Sequence, residues 1–161
     1  MAETLQLPIK LSIKQVEELC LQHYGISGKA SPLHGELDHN FKIDADNKSY
    51  VLKINRPGTD PEYLDFQEKL LVHIQNKKPL FNYPAIIQTV SGSFSFSFID
   101  TDNKKRNTRM LEWIPGRVWS AVNPQPDSLR YSLGEVSGEI TNLLQDFNHP
   151  KASRVFDRDD P

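Results

Sequence analysis

Tyr50-Val51-Leu52-Lys53-Ile54 decides how the chain is read. Its alternating apolar residues describe a half-buried strand with one lysine in the middle. An ammonium fixed in mid-strand must be paired or kept wet, because burying it alone is costly. Taken by itself the stretch reads first as a solvated lysine on the outer face of a half-buried sheet. Its neighbours give it context: a polar hairpin precedes it and a helix follows.

Upstream, His39–Asp44 reads as a second strand with Phe41 and Ile43 alternating, and Asp46-Asn47 supplies turn chemistry, so the two strands form a hairpin. Residues 28–36 read as a weak first strand. Before them, Ser12-Ile13-Lys14-Gln15 is a capping box. Ile13, Val16, Leu19, Cys20 and Tyr24 continue at helical spacing to a stop at Gly25. Downstream, Asn55-Arg56-Pro57-Gly58 breaks the lysine strand, and Asp60-Pro61 starts a helix that carries Tyr63, Phe66, Leu70, Leu71 and Ile74 and ends near Asn76.

After a loop over 79–84, a fourth strand is expected over 85–90 and a fifth through Phe94, Phe96 and Phe98, which alternate with serines. A polar turn follows over 102–106, then a last strand over 109–114 that ends at Pro115-Gly116. Asp127 is expected to cap a final helix with Leu129, Leu133, Val136, Ile140, Leu143, Leu144 and Phe147 on its apolar side. The fold class is therefore α+β: a five-stranded antiparallel sheet with one helix inserted after the lysine strand.

Composition narrows the function. The chain has 161 residues, 37% apolar and 25% charged, with net charge −2. That balance suits a globular domain and gives no reason to expect nucleic acid or an anionic membrane surface as partner. No apolar run reaches the roughly 18 residues a membrane helix needs, and residues 1–10 lack a signal-peptide layout. Cys20 is the only cysteine, which excludes internal disulfides and a multi-cysteine metal site. His23, His73 and His149 have no ligand spacing. Asp157, Asp159 and Asp160 lie in a terminal charge run and read as solvated. The expected location is the cytoplasm.

Four stretches together resemble the N-terminal lobe of the aminoglycoside phosphotransferase family of small-molecule kinases. They are Tyr24-Gly25-Ile26-Ser27-Gly28, Glu36-Leu37-Asp38-His39-Asn40-Phe41, Tyr50-Val51-Leu52-Lys53-Ile54 and Met110-Leu111-Glu112-Trp113-Ile114-Pro115-Gly116. With Phe147-Asn148-His149-Pro150, they resemble the hydroxylysine-kinase-like branch, which also occurs fused to class III aminotransferases. The order and spacing of the stretches carry the likeness, which covers nearly the whole chain.

The resemblance implies roles. Lys53 would contact the α- and β-phosphates of ATP. Its partner on the following helix would be Gln67, where most relatives have Glu; Gln can hydrogen-bond an ammonium but not neutralise it. Glu68 lies about 100° round the helix and serves only with a register shift. The segment His34–Asn40 would lie over the phosphates, with Gly35, Glu36 and Asn40 contributing, though Gly35 is its only glycine. Met110 would stand at the back of the pocket, and the Leu111 carbonyl and Trp113 amide would meet the adenine edge. The His34-Gly35 pair and Asn40 loosely imitate the family's catalytic loop, His-Gly-Asp followed by a metal-binding Asn. Glu36 replaces the Asp, Asn40 comes one residue early and the segment precedes the lysine strand, so the match is rejected.

The same resemblance implies domain bounds: residues 1–116 as nucleotide-binding lobe and hinge, 117–161 as a linker and the first helix of a truncated C-terminal lobe. The missing lobe would supply the catalytic aspartate, the ligands for magnesium and most contacts to a small-molecule acceptor. The chain alone is then expected to be non-catalytic, with exposed apolar surface on its last helix. In a fusion parent, a pyridoxal-phosphate aminotransferase domain would lie downstream. The alternative is a kinase-like lobe that serves as a binding or regulatory module.

Overall fold

The computed structural model describes residues 11–35 and 38–153. They fall into two compact units, one formed by Met1–Thr59 with Pro84–Trp113, the other by Asp60–Tyr83 with Ile114–Pro161. The expectations for Glu36 and for Asp157, Asp159 and Asp160 lie outside the described residues.

The first unit opens with α1, Ile13–Tyr24. Its capping box forms as the sequence requires: Ser12 Oγ accepts from the Gln15 amide at 3.2 Å and Gln15 Oε1 accepts from the Ser12 amide at 2.9 Å. Gly25 closes the helix in the left-handed region, at φ 66°, where a Cβ would be strained. The sheet then comprises β1 (Lys29–Leu33), β2 (His39–Asp44), β3 (Ser49–Ile54), β4 (Ile86–Ile87), β5 (Ser95–Ile99) and β6 (Lys105–Glu112). It is antiparallel, in the order β1-β2-β3-β6-β4, with β5 also paired to β6.

One face of the sheet holds the core. Phe41, Ile43, Leu52, Ile54 and Met110 pack with Val16, Cys20 and Tyr24 of α1. Partly buried Phe96 and Phe98 join from β5, with the Phe96 ring stacked 3.7 Å from His23. Cys20 is sealed here, and burial, with Glu17 adding to it, pushes its thiol up to about 12.

Two sheet elements differ from expectation. The fourth strand, expected over 85–90, is only Ile86–Ile87. Thr89 leaves the ladder to build a turn, its amide donating to the Ser93 carbonyl at 2.7 Å and its oxygen accepting from the Ser93 amide at 3.1 Å. The last strand starts at Lys105, four residues before the expected start. Arg106, expected in a polar turn, is instead buried against Asp100, Nε to Oδ2 2.6 Å. Asp100 Oδ1 also accepts from the Asp102 and Lys104 amides, so one carboxylate shapes the turn and satisfies the arginine.

The second unit holds α2 (Pro61–Asn76), a 3-10 turn over Trp119–Ala121, α3 (Asp127–Leu143) and a second 3-10 turn over Pro150–Ala152. Asp60 caps α2 through the Glu62 amide, 2.9 Å, with Pro61 in the first turn. The N-cap of α3 is Pro126 rather than Asp127. Asp127 is the first helical residue, and its carboxylate faces Arg130 at 3.4 Å. The helix stops at Leu143, short of Phe147, which turns back so that its amide donates to the Leu144 carbonyl at 3.1 Å.

Glu139 ties α3 to the 79–83 loop by accepting from the Leu80 and Phe81 amides and the Tyr83 hydroxyl. Phe147 and His149 lie against Phe66 of α2. His149 Nε2 meets Asp65 at 3.0 Å while its Nδ1 accepts from the Lys151 amide. No residue of α3 is fully buried, and Tyr131 and Leu133 are exposed.

Candidate functional site

The site follows from strand alternation. Leu52 and Ile54 enter the core, so Lys53 must stand on the opposite face of β3. The strand register then fixes what shares that face. Asn40 on β2 and Arg109 on β6 are the direct cross-strand partners of Lys53. One step along, Lys42, Val51 and Leu111 form the next row, with Ile86 of β4 opposite Leu111. Beyond them lie Asp44, Ser49 and Trp113, the last held by its amide to the Ser49 carbonyl at 3.0 Å.

These rows differ in chemistry. The first presents an amide and two cations. The second has an apolar floor of Val51, Leu111 and the buried Ile86, flanked by Lys42. The third is polar and aromatic. Lys42 leans toward it, with Nζ 2.7 Å from Asp44 Oδ1 and 5.2 Å from the centre of the Trp113 ring. A ligand lying along the rows meets positive charge at one end, aliphatic side chains in the middle and an indole at the other. That sequence suits a flat heteroaromatic group joined to an anionic tail.

Charge is held tightly around Lys53. Burial pushes its pKa down from the ordinary value, and Arg109 pushes it further; Asp38 acts in the opposite direction. Asp38 is anchored from below by the buried Asn55, whose Nδ2 donates to Asp38 Oδ2 at 2.9 Å, while the Asn55 amide donates to the Asn107 carbonyl. His39 is also lowered, by burial first, then by Arg106, with Asp38 opposing.

Asn40 carries a further signal. Its Oδ1 is buried and makes no hydrogen bond among the described residues. Such an oxygen is costly unless a donor reaches it. Gly35 packs directly over the same side chain: a Cβ there would lie 2.5 Å from Asn40 Nδ2 and 2.5 Å from the Asp38 carbonyl. Only glycine allows this approach. Gly35 thus packs tightly on Asn40 and Asp38 beside Lys53, whose ammonium is the group here suited to an anion, while the buried Asn40 oxygen is open to a donor.

The expected site residues therefore divide. Lys53, Asn40 and Gly35 come together, and Leu111 and Trp113 share their sheet face. Met110 does not: it is fully buried in the core on the opposite face, as the partner of Leu52, so it cannot stand at the back of a pocket on the Lys53 face. Leu111, its neighbour on β6, lies on the Lys53 face instead. The Trp113 amide is not left open for a ligand, because the β3–β6 ladder continues through it to Ser49. Gln67 stands half-buried in the middle of α2, in the second unit. Sequence reasoning missed Arg109 and the Asp38–Asn55 clamp. Only the register that sets Arg109 opposite Lys53 could have drawn attention to it.

The architecture is that of a kinase-like N-terminal lobe: an antiparallel sheet with a lysine in its third strand and a helix between the third and fourth. Residues 29–161 match the phosphotransferase enzyme family, and the chain belongs to it. Solved structures agree on the fold. An amicoumacin kinase in complex with AMP-PNP and Ca2+ is similar at TM-score 0.69 and 16% identity, over 87% of this chain and 42% of that one. A microcompartment-associated aminopropanol kinase gives 0.65 and 14%, over 92% and 45%. A spectinomycin phosphotransferase in complex with ADP and spectinomycin gives 0.61 and 16%, over 89% and 40%. The chain thus spans less than half the length of the solved structures it matches. No curated protein matches it. Among the described residues, no helix is long and apolar enough to cross a membrane.

Proposed function

We propose that this chain is the nucleotide-binding lobe of an ATP-dependent phosphotransferase in the cytoplasm. Its whole enzyme would transfer the γ-phosphate to a hydroxyl of a small metabolite, with or without an amino group. The observation that carries this reading is the row Asn40, Lys53, Arg109 beside the Gly35 cradle, in a chain of the phosphotransferase family. Residues 1–116 form the lobe and hinge, and 117–161 begin the next lobe.

In this reading Lys53 lies along the α- and β-phosphates and offsets charge that would repel an incoming hydroxyl. The 34–40 segment, with Gly35, Glu36 and Asn40, covers the phosphates. Asn40 Oδ1 accepts from a donor brought with the nucleotide or from Lys53. Leu111 flanks the base and the Trp113 carbonyl, rather than its amide, accepts from the adenine amino group. In the sequence, Gln67 of α2 stands where the family has a carboxylate, an uncharged acceptor in its place. Magnesium bound to the phosphates would neutralise charge at the transferred group. Its ligands and the aspartate that orients the acceptor belong to the remaining lobe, so this chain by itself binds nucleotide without turning it over.

The branch is hydroxylysine-kinase-like. Support comes from the residues Phe147-Asn148-His149-Pro150, of which Phe147 and His149 meet α2. A parent fused to a pyridoxal-phosphate aminotransferase belongs to the same reading. A second reading, a non-catalytic regulatory lobe, is favoured by Gln67 and by a phosphate loop with one glycine.

The test is titration of the chain with ATP and Mg2+ by calorimetry, alongside Lys53→Ala. Binding that weakens at least tenfold in the variant supports a nucleotide lobe. Equal binding by both proteins, or none by either, would overturn it. Phosphoryl transfer by the parent protein then separates the two readings.

A further inference from the structure

We propose that Arg109 is a specificity residue that makes the Lys53 subsite a two-cation site, selecting nucleotides by the charge of their phosphate chain. The inference rests on the nucleotide reading above and extends it to a residue that reading does not require.

Three observations carry it. Arg109 is the direct cross-strand partner of Lys53, on the same sheet face. Its side chain sits in a buried residue, 6% exposed, so solvent screens it weakly toward its neighbour. Its field reaches Lys53: Arg109 is, after burial, the cause that lowers the lysine's pKa. Cross-strand like charges destabilise a sheet, and ordinary sequences avoid them. Here the arrangement places two positive charges beside the one-glycine loop, with Asp38 as the carboxylate acting on Lys53 from that loop.

Such a pair reads total charge. A monophosphate reaching one end of the row gains from one cation, whereas a di- or triphosphate lying along it gains from both fields. Arg109 has contacts of its own and acts on the ligand through its field, as a positioning residue.

The experiment measures the dissociation constants of ATP, ADP and AMP, each free of Mg2+ so that their charges differ, for the wild-type chain, Arg109→Met and Arg109→Lys. Circular dichroism melts verify that each variant is folded. Arg109→Met is expected to lose about tenfold in ATP affinity, the effect of one fixed charge in a partly screened site, and less than twofold for AMP. Arg109→Lys should keep the wild-type ATP-to-AMP ratio. A purely structural role for Arg109 would weaken all three nucleotides alike, and that result overturns the proposal. Should Arg109→Met fail to fold, the salt dependence of the wild type decides: ATP binding must fall with ionic strength more steeply than AMP binding, and equal slopes refute it. Absence of nucleotide binding by the wild type would instead remove the lobe assignment itself.

Discussion

Replacing Lys53 by Met is expected to stabilise the folded chain while weakening the proposed nucleotide site. The lysine ammonium is partly buried and faces Arg109 across one strand spacing. Directly opposite cross-strand residues have Cβ atoms roughly 4.5–5.5 Å apart, and about 5.5 Å is taken for the two charges. Two unit charges at that distance repel by about 3 kcal/mol at an effective dielectric of about 20. Lys53 keeps part of its surface in water, which at least halves that figure, and Asp38 offsets more of it. Met retains the length and apolar packing of the lysine stem. The net gain is about 1 kcal/mol, which raises the melting temperature by roughly 2–4 °C for a chain of this size.

The sign of the pH dependence adds a second readout. Burial and Arg109 hold the folded-state pKa of Lys53 below its ordinary 10.5. Between the two values the unfolded chain binds more protons, so wild-type stability climbs as pH rises through that window. Lys53→Met lacks this climb. Its advantage should be full at neutral pH and vanish as pH approaches 10.5, and added salt should shrink it. Urea unfolding at pH 7 and pH 10, in low and high salt, measures this. A variant less stable than wild type at neutral pH, or an advantage that grows with pH, would refute the electrostatic account of the row.

Two other substitutions probe the surroundings. Leu52→Ala empties a fully buried position at the centre of the core and should cost about 2–5 kcal/mol in urea unfolding; a loss below about 1 kcal/mol would mean that the α1 packing is not the core. Gly35→Ala drives a Cβ into Asn40 and the Asp38 carbonyl, so ATP affinity should fall several-fold while the melting temperature moves little, the loop being outside the core. Unchanged affinity would exclude that loop from the site.

Much of this architecture was legible because local chemistry and long-range packing agree in it. The capping box at Ser12, the Asp60-Pro61 start of α2 and the 39–44 and 49–54 strands form where their residues demand. Lys53 stood out because it breaks an otherwise apolar alternation. The failures share a cause. Asp100 and Arg106 are separated by a polar run that looks like surface, and only the pairing of β5 with β6 shows that they bury each other. Likewise, Ala85–Val90 has strand composition, but Thr89 has an alternative set of hydrogen bonds that ends the strand.

The hinge shows the limit most clearly. In Arg109-Met110-Leu111-Glu112-Trp113-Ile114, apolar residues fall on both parities, so alternation cannot tell which face each one joins. The answer comes from β3. Leu52 is committed to the core, Met110 is its partner, and Arg109 and Leu111 are therefore committed to the face of Lys53. One residue of register thus decides two functional assignments together. It removes Met110 from the Lys53 face, and it places Arg109 beside the lysine proposed to meet phosphate. Should Met110→Leu alter nucleotide affinity while Leu111→Met does not, the parity would be reversed and both assignments would fall; because each exchange conserves volume, the comparison reads the site rather than the fold.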